Sequence, residues 1–204
     1  AEAVRARLAE LAMPDARFEV ELTPRDEPGP SGADHVELRI AANPGVPAGP
    51  LRDVASGGEL SRVMLALLGV AHAQPPAGAA APGAAGRTPI AAAPGSSADA
   101  RAARLLVFDE VDAGIGGRTA NAVGAQLHAL AADRQVLCIT HLPQVAAHAD
   151  RHFRIAKDGS GETATTTVTQ LASDAVVAEL VRMLGAEEDD RAARRHAKEL
   201  LKAA

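Results

Sequence analysis

The fold is decided by the stretch LLVFDEVDAGIGGRTANAVGAQLHALAADRQVLCITH, residues 105–141. Its two ends are short continuous apolar runs, Leu105–Phe108 and Val136–Ile139, which are typical of strands buried in a parallel sheet. The segment between them, Arg118–Ala131, has the apolar spacing of a helix. Three apolar residues share one face of that helix: Val123, Leu127 and Leu130. The order strand, helix, strand predicts a βαβ unit with a right-handed crossover, and therefore an α/β fold.

Segments on both sides of this unit also have regular patterns. Apolar and polar residues alternate in Phe18–Leu22 and Val36–Ile40, which predicts two strands with one buried face each. The Pro/Gly-rich residues 24–32 between them predict a turn region. Helical spacing from Glu59 to Ala71 predicts a helix. The tail adds two expected strands, residues 151–157 and 163–171, and two expected helices, near residues 174–184 and 190–201.

Composition narrows the class of protein. The 204 residues carry 21 Lys and Arg against 26 Asp and Glu, a net charge of −5, which argues against a module held on nucleic acid by overall charge. Without Trp or Tyr, stacking of bases on aromatic side chains is also disfavoured. The single cysteine, Cys138, excludes a disulfide scaffold and fits a reducing compartment. No apolar run approaches the roughly 20 residues of a membrane span, so we expect a soluble chain.

Residues 73–103 differ in composition from the rest of the chain. They are mostly Ala, Pro, Gly and Ser, and such a segment cannot bury enough apolar surface to offset its ordering entropy. We expect a disordered, low-complexity insertion. Composition alone leaves open a linker between two domains.

Polar residues follow both predicted buried strands, where open α/β sheets bind ligands. Asp109 and Glu110 follow the first strand, and Thr140 and His141 follow the second. Two such acids suit Mg²⁺ binding and activation of a water, and a histidine suits a phosphate contact. A solvated strand end and a structural histidine explain the same residues, so the alternatives stay open.

A third motif, Ser56-Gly57-Gly58-Glu59, opens the helix predicted from Glu59. Backbone N–H groups at a helix N-terminus attract anions, and glycines expose them. The simpler interpretation is a serine N-cap followed by flexible glycines.

In chain order these motifs resemble those of the ATP-binding-cassette ATPases: a signature Ser-Gly-Gly-Glu, a Walker B strand ending in Asp-Glu, and a strand followed by a lone His. Within that class the chain resembles the RecN family of bacterial DNA-repair proteins, relatives of the structural-maintenance-of-chromosomes (SMC) proteins. The resemblance is carried by VASGGELSRVMLALLGVAHA (54–73), LLVFDEVDAGIGGRTANAVGAQL (105–127) and VLCITHLPQVAAHADRHFRIAK (136–157). It implies that residues 73–103 are an insertion within one lobe, because cassette ATPases need only a short connection there.

The resemblance implies the fold and the domain organisation. Residues 13–204 would form the C-terminal lobe of an ABC-type ATPase head, with a mostly parallel, buried sheet flanked by helices. Residues 1–12 would be the end of a coiled-coil helix, whose stripe contains Val4, Leu8 and Leu11.

The resemblance also implies a role for each motif residue. Asp109 would coordinate Mg²⁺, Glu110 would activate the hydrolytic water, and His141 would contact the γ-phosphate of ATP. The ATP held by an opposite head would be bound by the signature residues Ser56, Gly57, Gly58 and Glu59. A loop crossing the dimer interface would contain Asp112, Gly114, Gly116 and Gly117.

The phosphate-binding P-loop pattern G-x-x-x-x-G-K-[ST] does not occur in the 204 residues. The resemblance therefore implies an ATPase that needs an N-terminal Walker A lobe and a second head, with hydrolysis coupled to head dimerisation. It further implies a role in double-strand break repair and recombination on double-stranded DNA ends, in the cytoplasm at the bacterial nucleoid, with no membrane partner.

Two other functions stay open. One is a non-catalytic module that binds a partner or DNA, and the other is the head of a different chromosome-maintenance or transporter ATPase. Direct DNA contact is not indicated, because seven arginines are scattered along the sequence and are interpreted as solvated surface charge: Arg5, Arg7, Arg17, Arg25, Arg191, Arg194 and Arg195.

Overall fold

The structure is a computed structural model that describes residues 1–30, 32–54, 56–73, 105–158 and 165–204. The chain divides into two compact units. The first contains residues 1–113 and 129–139, and the second contains residues 114–128 and 140–204. Apart from Ala73, the insertion predicted at residues 73–103 lies outside the described residues.

The first unit begins with helix α1 (Glu2–Glu10). Val4 and Leu8 are buried, as is Leu11 just beyond the helix, so the predicted apolar stripe is a packing face. This face lies against helix α2 (Gly57–Ala73). The continuation of α1 as a coiled coil stays a prediction.

A three-stranded antiparallel sheet follows, in the order β1 (Arg17–Gly29), β2 (Gly32–Ala41) and β3 (Gly49–Pro50). At its base Phe18 pairs with Ile40, and both are buried. Further along, Val20, Leu22 and Val36 are 45–61% exposed, so the expected buried face is buried only at the base.

The turn region predicted at residues 24–32 is wrong in extent. Strand β1 continues beyond Pro24 to Gly29, with a shift of register between them. A proline is tolerated at a bulge or on an edge strand because its missing N–H costs no ladder hydrogen bond there. The Pro/Gly composition therefore marks an irregular strand in addition to a turn.

The decisive βαβ unit is present. Strands β4 (Leu105–Phe108) and β5 (Gln135–Cys138) pair in parallel, and helix α3 (Gly117–Leu130) lies between them in sequence. The α/β class is confirmed. The expectation of a mostly parallel, buried sheet is wrong, because the described strands contain one parallel pair, β4 and β5, and that pair is not buried on both faces. The other described strands pair antiparallel, and one face of β4 and β5 is bare: Leu105, Val107, Leu137 and Ile139 are 44–57% exposed. Parallel sheets are normally covered on both faces, and no described segment of this unit covers this one.

The second unit contains the tail elements close to where the sequence predicts them. These are a short helix α4 (Pro143–Ala146), strands β6 (His152–Asp158) and β7 (Thr165–Leu171), and helices α5 (Asp174–Met183) and α6 (Arg191–Ala203). Strands β6 and β7 form an antiparallel hairpin with Phe153, Ile155 and Val168 exposed.

The core of the second unit is aliphatic. Helix α5 contributes Val177, Leu180 and Val181, which pack with Ala197 of α6 and Ala146 of α4. Asp190 caps α6 by accepting hydrogen bonds from the amides of Ala192 (2.8 Å) and Ala193 (3.1 Å). In the described part of the chain, no helix has the length and apolarity needed to cross a membrane.

Candidate functional site

The signature segment, Ser56–Glu59, forms the N-terminus of α2. The Ser56 carbonyl accepts the first helical bond from Leu60 N (3.0 Å), and Ser56 Oγ accepts a long bond from Glu59 N (3.4 Å). Ser56 is therefore the N-cap, as the simpler interpretation of the sequence has it. Gly57 and Gly58 are the first residues of the helix, so no preceding helical turn supplies a carbonyl to accept a hydrogen bond from their amides. The serine and these two amides together can bind an anion.

The acidic turn, Asp109–Ala113, follows strand β4. Phe108 still belongs to the ladder, since its carbonyl accepts a bond from Ile139 N (2.9 Å). Asp109 and Glu110 are both exposed, and Ala113 N donates to the Glu110 carbonyl (3.0 Å) to close the turn. Glu110 has φ of 56°, a left-handed conformation that is uncommon for a residue other than glycine. The turn thus presents two carboxylates at the carboxyl end of a parallel strand.

The structure brings the signature segment and the acidic turn into contact within the first unit. Ser61 Oγ donates to the Asp109 carbonyl (2.9 Å), and Arg62 Nη1 donates to the Ala113 carbonyl (2.7 Å). An ideal Cβ placed on Gly57 would lie 3.3 Å from Glu110 Oε2. The two motifs, far apart in sequence, therefore form one continuous surface.

Sequence reasoning missed Ser61 and Arg62. Both stand inside the quoted signature stretch, and helical spacing from Gly58 places them on the same face of α2. An arginine beside an otherwise apolar stripe was the available signal, because buried arginines are rare unless they are paired.

The carboxylates of this turn create a negative local potential. Burial, together with the nearby charges of Asp112 and Asp109, raises the pKa of the Cys138 thiol to about 12. Asp112 is itself 2% exposed. Burial disfavours a charge of either sign, whereas the charges of Asp112 and Asp109 disfavour only a further anion and attract a cation.

The residues present fit a Mg²⁺ ion whose ligands come partly from the protein and partly from a bound phosphate. Among the described residues, no group of three or more His, Cys, Asp or Glu side chains could hold a metal ion. Mg²⁺ usually takes one or two protein carboxylates and completes its shell with waters and substrate phosphates. Asp109, exposed at the strand end, suits that arrangement.

The remaining predicted site residues belong to the second unit. Gly114 and Gly117 have φ of 71° and 52°, so the predicted interface loop uses its glycines for left-handed backbone, and Gly117 begins α3. Gly116 is exposed. His141 is exposed in a turn that Thr140 stabilises by accepting a bond from Leu142 N (3.0 Å). Its role as a phosphate ligand stays a prediction.

The fold is of the α/β type found in the head domains of SMC proteins. It is similar to the Smc head domain with a coiled coil and joint from Pyrococcus yayanosii, with a TM-score of 0.53 and 16% sequence identity. The similarity covers 89% of this chain and 28% of that one. At this level of identity the likeness defines the fold alone.

The sequence defines a narrower relationship. The chain is 41% identical over 213 aligned positions to the DNA repair protein RecN of Treponema pallidum, and 42% identical over 216 positions to that of Streptomyces coelicolor. Each alignment covers 100% of this chain and 33% of the relative. No protein-family model matches the chain. The chain is a homologue of the C-terminal part of the RecN proteins, and it spans about a third of their length.

Proposed function

We propose that this chain is the C-terminal lobe of an ATP-binding and ATP-hydrolysing head, in a RecN-like protein that acts in DNA double-strand break repair and recombination. The observation that supports it is the contact between two motifs of cassette ATPases. Ser61 of the signature helix bonds to the backbone of Asp109 in the acidic turn. The relatives, named as DNA repair proteins, supply the biological context.

The acidic turn would carry the hydrolytic chemistry. Asp109 would hold Mg²⁺, which supplies charge neutralisation on the phosphates when bound. Glu110 would orient a water and accept its proton, because its carboxylate is exposed beside the strand end. Its backbone conformation is fixed by the bond from Ala113 N, which limits where the carboxylate can lie.

The signature segment would bind the ATP of a second head. Ser56 Oγ and the amides of Gly57 and Gly58 converge at the start of α2, where the helix dipole also favours negative charge. Glu59, the fourth signature residue, is half-buried in the first turn. In the second unit, His141 would contact the γ-phosphate, and the glycines of the interface loop would allow close approach of the other head.

The missing P-loop would come from an N-terminal Walker A lobe. The bare face of the β4–β5 pair supports this, because parallel sheets with apolar faces are normally covered on both sides. Strand β5 also has a free edge among the described strands, since its sheet has the order β4–β5. A lobe that contributes both a strand and a covering layer would complete this unit.

Helix α6 is the candidate DNA contact. Three of the arginines that seemed scattered in sequence lie on it, together with Lys198 and Lys202. Spacing of three and four residues places a basic row on its outer face: Arg191, Arg194 or Arg195, Lys198 and Lys202. Four acids, residues 187–190, precede the helix, and Glu199 within it pairs with Arg195, so Lys198 and Lys202 are the basic side chains of the row farthest from the acidic segment. Such a row suits the phosphate backbone of double-stranded DNA, at the bacterial nucleoid in the cytoplasm.

A non-catalytic binding module is the alternative from another class. Such a module would not need exposed carboxylates at the end of β4. Asp109 and Glu110 are both exposed there, and Glu110 has a strained backbone. This strain favours the catalytic proposal.

Phosphate release from ATP tests the proposal. The chain alone is expected to show no turnover, and turnover is expected when a Walker A lobe is supplied. Replacement Glu110→Gln should then abolish it. Equal turnover by the chain alone and by the mixture would overturn the two-lobe proposal, and unchanged turnover in Glu110→Gln would overturn the assignment of the base.

A further inference from the structure

Arg62 is a buried cation on helix α2. Its side chain is 8% exposed, burial lowers its pKa, and the charge of Glu59 raises it. Nη1 donates to the Ala113 carbonyl at 2.7 Å, while Nε is buried without a hydrogen-bond partner. The guanidinium therefore makes one strong bond and leaves one donor unsatisfied.

This arrangement is a poor source of stability. The next residues of α2 on the buried side are Val63, Leu65 and Ala66, and an apolar side chain at position 62 would pack among them without desolvating a charge. Replacing a buried charged group by an apolar one of similar volume is often neutral or stabilising. We therefore look for the role of Arg62 in the segment that its hydrogen bond to the Ala113 carbonyl holds in place.

That bond fixes one end of the acidic turn. The amide of Ala113 is bound to the Glu110 carbonyl, and the carbonyl of Ala113 is bound to Arg62. The other end is fixed by Ser61, whose Oγ donates to the Asp109 carbonyl. Two consecutive residues of α2 thus hold the turn on both sides of Glu110. A non-glycine residue keeps a left-handed backbone only when its surroundings enforce it.

We infer that Arg62 is a positioning residue that couples Glu110 to the signature segment of the same chain. Ser56 to Gly58 begin the helix that carries Arg62, about 7 Å along its axis. A helix turn is rigid, so a shift of the signature segment on phosphate binding would be passed to the acidic turn through the bond from Arg62 to the Ala113 carbonyl. This inference rests on the proposed function, because it assigns the coupling to ATP bound by a second head.

The 204-residue chain tests the positioning directly. Arg62→Met keeps the length of the side chain and removes the donor, and Arg62→Lys keeps a charge and one donor, which suffices because Nε is not used. Amide hydrogen exchange at Ala113 reports the turn, and Arg62→Met is expected to accelerate it about tenfold without lowering the melting temperature. Arg62→Lys is expected to keep most of the protection. Unchanged exchange in Arg62→Met would overturn the inference.

ATP turnover by the full-length gene product tests the coupling. Arg62→Met should lower kcat by about 10- to 100-fold with little change in KM, because a small misplacement of a reacting group has effects of that size. Arg62→Lys should recover most of the loss. Arg52→Met is the matched control, since Arg52 is exposed and bonds to Glu37 on the neighbouring strand.

The outcomes separate the two proposals. If the wild type shows no ATP turnover, or if Glu110→Gln leaves that turnover unchanged, the proposed function fails. If that turnover exists but Arg62→Met retains the wild-type kcat, or raises only KM, the inference alone is overturned.

Discussion

A Cβ atom placed on Gly58 would lie 2.8 Å from the Cβ of Ala113 and 3.0 Å from the Glu110 carbonyl oxygen. Both neighbours are backbone or adjacent to backbone, so neither can rotate away. Glycine at this position therefore lets the signature helix approach the acidic turn closely enough for the bonds made by Ser61 and Arg62.

Gly58→Ala is expected to destabilise the chain by about 1–3 kcal/mol, the usual cost of forcing an extra methyl into a packed contact. Denaturant unfolding of the 204-residue chain measures it. Gly69→Ala is the matched control in the same helix, because nothing lies within 4 Å of its added Cβ. Relief of the helix penalty of glycine should stabilise that variant by up to about 1 kcal/mol. Equal effects at the two positions would contradict the close approach.

Glu110→Gln is expected to slow ATP turnover by orders of magnitude while ATP binding persists, because the amide keeps the shape but cannot accept the proton. With the Walker A lobe present, ATP should then hold the heads as a dimer. Light scattering with and without ATP measures this dimer. A Glu110→Gln protein that stays monomeric with ATP would contradict coupling of hydrolysis to head closure.

The bare face of the β4–β5 pair should be needed for association with a Walker A lobe and dispensable for folding of this chain. Val107→Thr with Leu137→Thr makes that face polar and keeps residues suited to strands. The lone chain should change its free energy of unfolding by less than about 1 kcal/mol, since both side chains are already exposed. Affinity for the lobe, measured by calorimetry, should fall at least tenfold.

Val46→Thr is the control for that experiment, because Val46 is 52% exposed in the loop between β2 and β3 and belongs to neither β4 nor β5. It should leave the affinity for the lobe unchanged. Undiminished binding by the double variant would mean that another surface receives the lobe.

Much of the fold was predictable, because apolar periodicity reports directly on packing. Leu105–Phe108 and Val136–Ile139 read as strands, and they pair in parallel as expected. These apolar runs do not show whether each face of the strands is covered by this chain or by another one, because the apolar pattern is the same in both cases. The exposure of Val107 and Leu137 could not be predicted for that reason.

For the candidate site, the sequence indicates the chemistry and the structure adds the contacts. Asp109, Glu110 and the signature segment are recognisable as residue types at fixed places on strands and helices. The bonds from Ser61 and Arg62 go to backbone carbonyls, and any residue supplies a carbonyl, so no pattern marks the acceptor. The left-handed backbone of Glu110 was equally invisible, because glutamate rarely adopts it.

The second unit should lose stability in mild acid through His148. Its ring lies against Gly124 of α3, where an added Cβ would lie 2.9 Å from the imidazole Cγ. Burial lowers the pKa of His148, and the charge of His128 lowers it further. The unfolded chain then binds more protons than the folded one, so stability falls as the pH decreases through about 6.5 and below.

Unfolding free energies at pH 7.5 and 5.5 measure this loss, and His148→Asn should reduce the pH dependence relative to the wild type. His35→Asn, in the first unit, is the control and should leave it unchanged. An identical pH dependence in the wild type and in His148→Asn would show that His148 is not responsible.

Lys198→Gln with Lys202→Gln on α6 should weaken binding to a double-stranded DNA oligonucleotide and leave the fold intact, because both side chains are exposed. If each lysine contacts one phosphate, the slope of log affinity against log salt should decrease by about 2, at roughly 0.9 per contact. Fluorescence anisotropy over a series of salt concentrations measures both quantities. Arg5→Gln with Arg17→Gln is the matched control, because it removes the same charge from exposed residues of the first unit. An equal loss in the two double variants would assign DNA binding to net charge, whereas a loss confined to the α6 variant locates the contact on that helix.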